Sequence, residues 1–519
     1  MDQTTKNSDY RRKIKTKEEL LEVIGPRPRK RSVIMCHGSF DIVHPGHVRH
    51  LMYAREKADV LVASLTSDSH ISKANFRPYV PEQLRAMNLA ALEVVDYVII
   101  DPNPTPLENI RFLQPDYFAK GYEYNADGLH PKTAEELQVL EAYGGEVIFT
   151  PGDVVFSSSS FIEQAPPKLA SEKLGLLMKE EGVTFDDLRN ALEKFKDLKV
   201  HVLGDTIIDS YTYGTVIGGM TKTPTFSVKY ERQVDFVGGA AIVSKHLRRA
   251  GAQVKFTTVL GNDALKNFVL EDLKKEGIEC DAIIDKTRPT TQKNAIIAGG
   301  YRLLKLDKLD NRPISTKILE KFKTSLSSSQ TDAFVFSDFR HGIFSRATIP
   351  DLTAALPSGP LRVADSQVAS RWGNILDFQN FDLITPNERE ARFALGDQDS
   401  VVRPLALDLY RQANCKCLIL KLGERGMITY RQRGHREDDP RAFFTVDTFA
   451  ERIVDAVGAG DALLAYSTLA MIATKSEVIA SILGAMAAAV ACERDGNVPI
   501  TTEEIHKILD VNEKRVHYS

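Results

Sequence analysis

Short, mainly apolar runs separated by helical stretches set the limits on what this chain can become. Val33–Met35, Val60–Ser64 and Tyr97–Ile100 are such runs in the first part of the sequence. Val200–Leu203, Ala333–Ser337, Leu361–Ala364, Leu383–Thr385 and Cys417–Lys421 follow later. Each is too short for a packed helix, and few of their residues are polar. They read as strands buried on both faces of a parallel sheet. Glu82–Leu92 and Ala134–Ala142 have helical spacing, and Thr16 caps a short helix that runs to Ile24. Strands alternating with helices define an open α/β fold, which binds ligands at the carboxyl ends of its strands.

A chain of 519 residues exceeds one core of this kind. Pro166-Pro167 and the Lys/Glu-rich stretch after them divide it. The expected layout is a tail and short helix over 1–29, a first domain over 30–165, a linker over 166–183 and a second domain over 184–519. A lead-in helix over Asp186–Lys196 opens the second domain. Its alternating segments Thr225–Phe236 and Thr291–Leu306 read as exposed strands. Ala462–Ala473 and Glu477–Glu493 are apolar helices that should line a core.

Net charge is −3, which gives no reason to invoke nucleic acid or a membrane surface as partner. No apolar run reaches the length of a membrane span. Five scattered cysteines suit a reducing compartment, and cytoplasm is the simplest inference. Cys415 and Cys417 fall in a strand-like stretch and read as buried thiols.

Two motifs carry chemistry. Near the C-terminus, Asp455-Ala-Val-Gly458-Ala459-Gly460-Asp461 precedes an apolar helix. Free backbone N–H groups at a helix start hold negative charge, and glycine lets a phosphate approach the main chain. Asp461 can take a proton from a hydroxyl as that oxygen attacks phosphorus. Near the N-terminus, Gly38-Ser39-Phe40-Asp41-Ile-Val-His44-Pro45-Gly46-His47 lies between a strand and a helix. Pro45 suits a first helical turn, and His44 and His47, three apart, should share a face beside the helix start. Two imidazoles and free amides there can clamp a triphosphate as pyrophosphate leaves. A zinc site is the weaker reading, since a third ligand is lacking nearby.

The order of motifs over about 30–165 resembles the cytidylyltransferase-like nucleotidyltransferases. After the two motifs come Thr66-Ser-Asp68, Arg77-Pro, Glu82-Gln-Leu-Arg85, Glu93-Val-Val-Asp96, Pro115-Asp116, Lys120-Gly121, Gly144-Gly-Glu-Val147 and Ser157–Ser160. That resemblance implies a Rossmann-like domain in which His44 and His47 stabilise the transition state. Gly38, Ser39, Phe40 and Lys120 would stand at the nucleotide, with Ser158, Ser159 and Ser160 on its phosphates. Lys73 and Arg85 would reach the nucleotide or sugar phosphate. The all-serine run and Glu123 depart mildly from the family pattern.

From about 184 to 515 the chain resembles the ribokinase-like sugar kinases. Gly204-Asp205-x3-Asp209, Gly238-Gly239-Ala-Ala241, Lys293, Lys305, Asp307, Ser337-Asp338-x3-Gly342, Asp365, Thr385-Pro-Asn387-x2-Glu390, Lys421-Leu-Gly423-x2-Gly426 and the Asp455–Asp461 loop follow in family order. The resemblance implies an α/β domain with a small β lid. Asp461 would be the base, and Gly458, Ala459 and Gly460 the anion hole. Asn387, Glu390, Lys421 and Gly423 would stand at the nucleotide, with Asn387 and Glu390 placing Mg²⁺ through water. Asp205, Asp209, Gly238, Gly239, Lys293 and Asp338 would hold the sugar. Ile242 and Met486 stand where the family usually has Asn, which bears on the sugar and adenine pockets respectively.

Both halves are most similar to the family of bifunctional heptose kinase/adenylyltransferases, in which the kinase half comes first; here it comes second. The implied activity is two-step sugar activation. A sugar or sugar phosphate takes a phosphoryl group from ATP, most simply at the anomeric hydroxyl, and its 1-phosphate then reacts with ATP or CTP to give an NDP-sugar. A CDP-activated sugar or polyol is the alternative product, and a non-catalytic nucleotide-binding protein the alternative class. The lid edge suggests a homodimer.

Overall fold

The computed structural model describes residues 10–71, 78–121, 131–150, 170–218, 226–367, 374–431, 442–494 and 496–518. The expected contacts of Lys73, Arg77, Glu123 and Ser157–Ser160 lie outside these residues. The elements below are those of the described residues. The chain divides into two compact units, Met1–Leu169 and Ala170–Ser519.

The first unit runs α1 (Lys17–Ile24), β1 (Val33–Gly38), α2 (Pro45–Arg55), β2 (Val60–Thr66), α3 (Glu82–Ala90), β3 (Tyr97–Asp101), α4 (Leu107–Leu113), β4 (Tyr117–Gly121), α5 (Pro131–Glu141) and β5 (Glu146–Thr150). Its sheet has the order β3-β2-β1-β4-β5, and all its pairings are parallel. The central strands β1 and β2 are mainly apolar because both faces are covered. Ile34, Cys36, Leu61 and Ala63 pack with α2 and α3. Val33, Met35, Val60 and Val62 pack with α1, α4 and α5. Thr16 caps α1 with a reciprocal Thr16/Glu19 box.

The second unit begins with α6 (Ala170–Glu181) and α7 (Phe185–Lys194). Two thirds of the expected linker is therefore helix. Leu174 and Met178 on α6 belong to the core of this unit, which draws the helix into it. Then come β6 (Lys199–Gly204), β7 (Thr206–Gly218), β8 (Ser227–Gly239), α8 (Ala240–Arg249), β9 (Gln253–Leu260), α9 (Ala264–Lys275), β10 (Glu279–Ile284), β11 (Gln292–Ala298) and β12 (Tyr301–Lys308). They are followed by α10 (Thr316–Ser327), β13 (Ala333–Asp338), α11 (Thr348–Ala354), β14 (Leu361–Ser366), β15 (Leu383–Ile384), α12 (Glu388–Leu395), α13 (Val402–Ala413), β16 (Cys417–Lys421), β17 (Met427–Arg431) and β18 (Phe443–Val446). Three helices close the chain: α14 (Ala459–Thr474), α15 (Glu477–Cys492) and α16 (Thr502–Tyr518).

The main sheet of this unit has the order β10-β9-β6-β13-β14-β15-β16-β17-β18. It is parallel up to β16 and antiparallel beyond. Successive residues of β13 point to opposite faces, with Val335 packing on the α14/α15 side and Phe334 and Phe336 on the α10/α13 side. α14 and α15 are apolar all round because they are buried nearly all round. The alternating segments form a separate sheet of order β12-β11-β7-β8. Every residue of its edge strand β12 is exposed.

Among the described residues, no helix is long and apolar enough to cross a membrane.

Candidate functional site

In the first unit the site forms where β1 ends. Phe40 turns the chain with φ of 45° and buries its ring. His44 is the N-cap of α2 rather than a helical residue, and its Nδ1 accepts from Gly46 N at 3.1 Å. His47 is one turn further on. The two imidazoles lie 3.9 Å apart between centroids, and Phe40 packs on His47 at 5.1 Å. The caps fix both tautomers. Because the Gly46 amide can only donate, neutral His44 keeps its proton on Nε2. His47 Nδ1 sits 3.1 Å from the Ile42 carbonyl, which can only accept, so that nitrogen carries hydrogen. Burial holds the His44 pKa below its ordinary value. At neutral pH His44 is therefore an uncharged Nε2–H donor beside a helix start.

Lys120 does end β4, but its ammonium is 2.6 Å from the buried Glu136. Contact with a phosphate would require that pair to open. Arg85 differs from its expected role. Its side chain is fully buried, and it donates to the carbonyls of Ser39, Thr66 and Val80 and to Asp68. It locks the turn after β1 to the end of β2, so a phosphate has no access to it. Asp41 does similar work, accepting from Tyr79 N and Val80 N at 2.8 and 3.0 Å.

In the second unit the parallel register brings the strand ends together. Ser337 lies beside both Gly204 and Asp365, and Asp338 beside Ser366. The three acids expected to hold sugar hydroxyls have unequal roles. Asp338 accepts from Ser366 Oγ at 2.7 Å and pairs with Arg340 Nε at 2.7 Å, with its side chain wholly enclosed. Asp205 accepts from the amides of Phe339 and His341, both at 3.1 Å. These two acids shape the loop after β13. Burial pushes them up to about 7 and about 6. Of the three carboxylates, that of Asp209 stands against the glycine pair: a Cβ on Gly238 would strike it. Burial raises Asp209 to about 6, opposed by Lys293 and Lys305 of the lid. Lys293 lies in register with both Asp209 and Asp307. Gly239, with φ of 63°, makes the turn into α8.

Gly458 caps α14 with φ of 82°, so the amides of Ala459 and Gly460 open the helix and Asp461 sits in its first turn. Asp461 is 8% exposed, and its Oδ1 has no hydrogen-bond partner among the described residues. Burial, then Asp365, pushes its pKa up to about 8 against the pull of Lys421. Lys421 Nζ is 3.0 Å from Asp365 Oδ1 and would meet a Cβ on Gly460 at 3.1 Å. Asn387 caps α12 by accepting from Glu390 N at 2.9 Å, and Glu390 Oε2 accepts from Asn387 N at 2.7 Å. Burial raises Glu390 as well, with Asp365 adding to it. Asp365, Glu390 and Asp461 thus share the one ammonium of Lys421. Carboxylate oxygens gathered there are hard donors of the kind a divalent cation takes. Gly423 lies in an open turn at φ 64°. Ile242 and Met486 are both fully buried.

Two residues escaped the motif reading. Asn497 Nδ2 donates to Asp209 Oδ2 at 2.9 Å, and its Oδ1 would lie 2.8 Å from a Cβ on Gly458. His341 is buried, with Nδ1 2.7 Å from Asn311 Oδ1 and Nε2 lacking a hydrogen-bond partner among the described residues. The only signal for Asn497 is an amide in the Gly/Pro-punctuated turn after an apolar helix.

A buried carboxylate with one unpartnered oxygen in the first turn of a glycine-capped helix, with acids and a lysine at neighbouring strand ends, is an arrangement that suits phosphoryl transfer. The pfkB family carbohydrate kinase model matches residues 197–503 and the cytidylyltransferase-like model residues 35–164. The chain belongs to the pfkB family of carbohydrate kinases, and the stretch matched by the cytidylyltransferase-like model lies ahead of the kinase region.

The chain is 27% identical over 316 residues to the bifunctional protein HldE of Sulfurimonas denitrificans, covering 60% of this chain and 64% of that protein. It is 41% identical over 142 residues to HldE of Syntrophotalea carbinolica, covering 27% and 28%. The chain thus spans less than two thirds of the relatives it matches. Phosphofructokinase-2 from Escherichia coli, solved with potassium, shares the fold with a TM-score of 0.51 and 16% identity. That match covers 61% of this chain and 99% of the other.

Proposed function

We propose that the second unit transfers the γ-phosphoryl of ATP to a hydroxyl of a sugar or sugar phosphate, most simply the anomeric one. The observation that carries this is Asp461, whose buried Oδ1 has no hydrogen-bond partner among the described residues. Asp461 takes the proton of the attacking hydroxyl, and the amides opening α14 receive the charge that develops on the phosphoryl oxygens. Lys421 lies beside them. Asn387, Glu390 and Asp365 would hold Mg²⁺, through water. The ion would neutralise charge on the triphosphate.

The first unit then joins the sugar 1-phosphate to the α-phosphate of a nucleoside triphosphate and releases pyrophosphate. His44 donates from Nε2, and His47 stands beside it at the start of α2. Alignment and charge stabilisation account for such a step. The likeness to HldE favours a heptose-type substrate and ATP, with the two domains in the opposite order. The exposed lid edge favours a homodimer. Mass spectrometry of products from a panel of sugars and sugar phosphates, each with ATP and CTP, tests the reading. The expected result is a sugar phosphate and then an NDP-sugar with pyrophosphate. No phosphoryl transfer to any sugar in the panel would refute the first step.

A further inference from the structure

Asn497 fills the space above two glycines. A Cβ on Gly238 would lie 2.8 Å from its Nδ2, and one on Gly458 would lie 2.8 Å from its Oδ1. Side chains at either position would collide with this amide. The carboxylate of Asp209 fixes the amide's orientation, since only the NH₂ end can donate to it, at 2.9 Å. The carbonyl end is thereby turned toward the loop that opens α14. That oxygen is buried with no hydrogen-bond partner among the described residues. A buried acceptor left unmatched costs stability, so a site that keeps one has a use for it.

We propose that Asn497 is a specificity-determining residue, whose Oδ1 accepts a hydrogen bond from the sugar hydroxyl next to the one phosphorylated. This rests on the kinase reading of the second unit. Asn497 spans the interval between the acid that grips the sugar and the glycine that caps the phosphoryl loop. A vicinal diol fits that interval: one oxygen is deprotonated at Asp461, and its neighbour donates to Asn497. A substrate without the second hydroxyl leaves Oδ1 unpaired, and sites built around hydrogen bonds discriminate most strongly in that situation.

The test compares wild type, Asn497→Ala and Asp461→Asn. The acceptors are the sugar phosphate turned over fastest in the panel and its deoxy analogue lacking the adjacent hydroxyl. Asn497→Ala should lower kcat/KM by about 10–100-fold for the full substrate and by no more than about twofold for the analogue. Equal losses on both substrates would mean a merely structural role and overturn the proposal. So would no loss on either while Asp461→Asn abolishes transfer. Retention of transfer by Asp461→Asn would instead remove the kinase reading itself. If Asn497→Ala does not fold, wild type decides: it must disfavour the deoxy analogue by about 10-fold or more, and equal use of both substrates overturns the proposal.

Discussion

Asp461, the proposed base, sits in surroundings that oppose its ionisation. Burial and the neighbouring Asp365 push it up to about 8. Phosphoryl transfer by the free enzyme should therefore rise with pH along an acid limb far above the usual carboxylate range, read as kcat/KM against pH. Asp461→Asn should lower kcat by about 10²–10⁴-fold. Stability should move the other way. A carboxyl raised in the fold contributes fully below its unfolded pKa near 4, and that contribution is lost as pH rises through 8. Asp461→Asn should thus stabilise the protein increasingly from pH 5 to pH 8, by on the order of 2–4 kcal/mol across that interval. Denaturant titrations at the two pH values check it, and a gain that shrinks toward pH 8 would contradict the assignment. In the other unit, His47→Ala should slow pyrophosphate release by about 10²–10³-fold while sugar phosphorylation is kept. Equal loss of both activities would mean that the substitution damages the fold.

At the scale of elements, the end of β2 and the turn after β1 are held by one guanidinium. Arg85 is fully enclosed and engages Ser39, Thr66, Val80 and Asp68. Removing it leaves buried acceptors and a carboxylate unmatched, so Arg85→Ala should destabilise the first unit by about 3–5 kcal/mol. Urea unfolding measures this. A variant of unchanged stability with a raised KM for the nucleotide would instead return Arg85 to phosphate binding. Sequence could not separate these roles, because a motif gives an arginine's position but not what surrounds it. The same holds for Asp205 and Asp338, whose spacing matched a sugar site but whose carboxylates are taken up by the loop 339–341 and by Arg340 and Ser366. The strands were legible because burial on both faces favours short, mainly apolar runs. The Asp461 loop was legible because a glycine cap, short side chains and an acid have few other uses together. Asn497 was not, because its role depends on a contact with Asp209, 288 residues away.

At the scale of the whole molecule, the lid is the surface that most needs covering. Tyr301, Leu304 and Leu306 on β12 are 75%, 59% and 60% exposed. Among the described residues β12 is also the edge of its sheet, paired only with β11. An edge strand offers unpaired backbone groups, and here it adds apolar side chains, a combination soluble proteins usually cover. A second copy could meet that need through the same strand, since a two-fold interface uses one patch twice. Leu304 and Leu306 are two apart and so share a face. The pair Leu304→Asp and Leu306→Asp places like charges opposite each other in such an interface while leaving Asp461 and Asp209 untouched. Sedimentation velocity at micromolar concentration should find wild type as a dimer and the double variant as a monomer. A wild type that sediments as a monomer, or a double variant that stays dimeric, would place the self-association elsewhere or remove it.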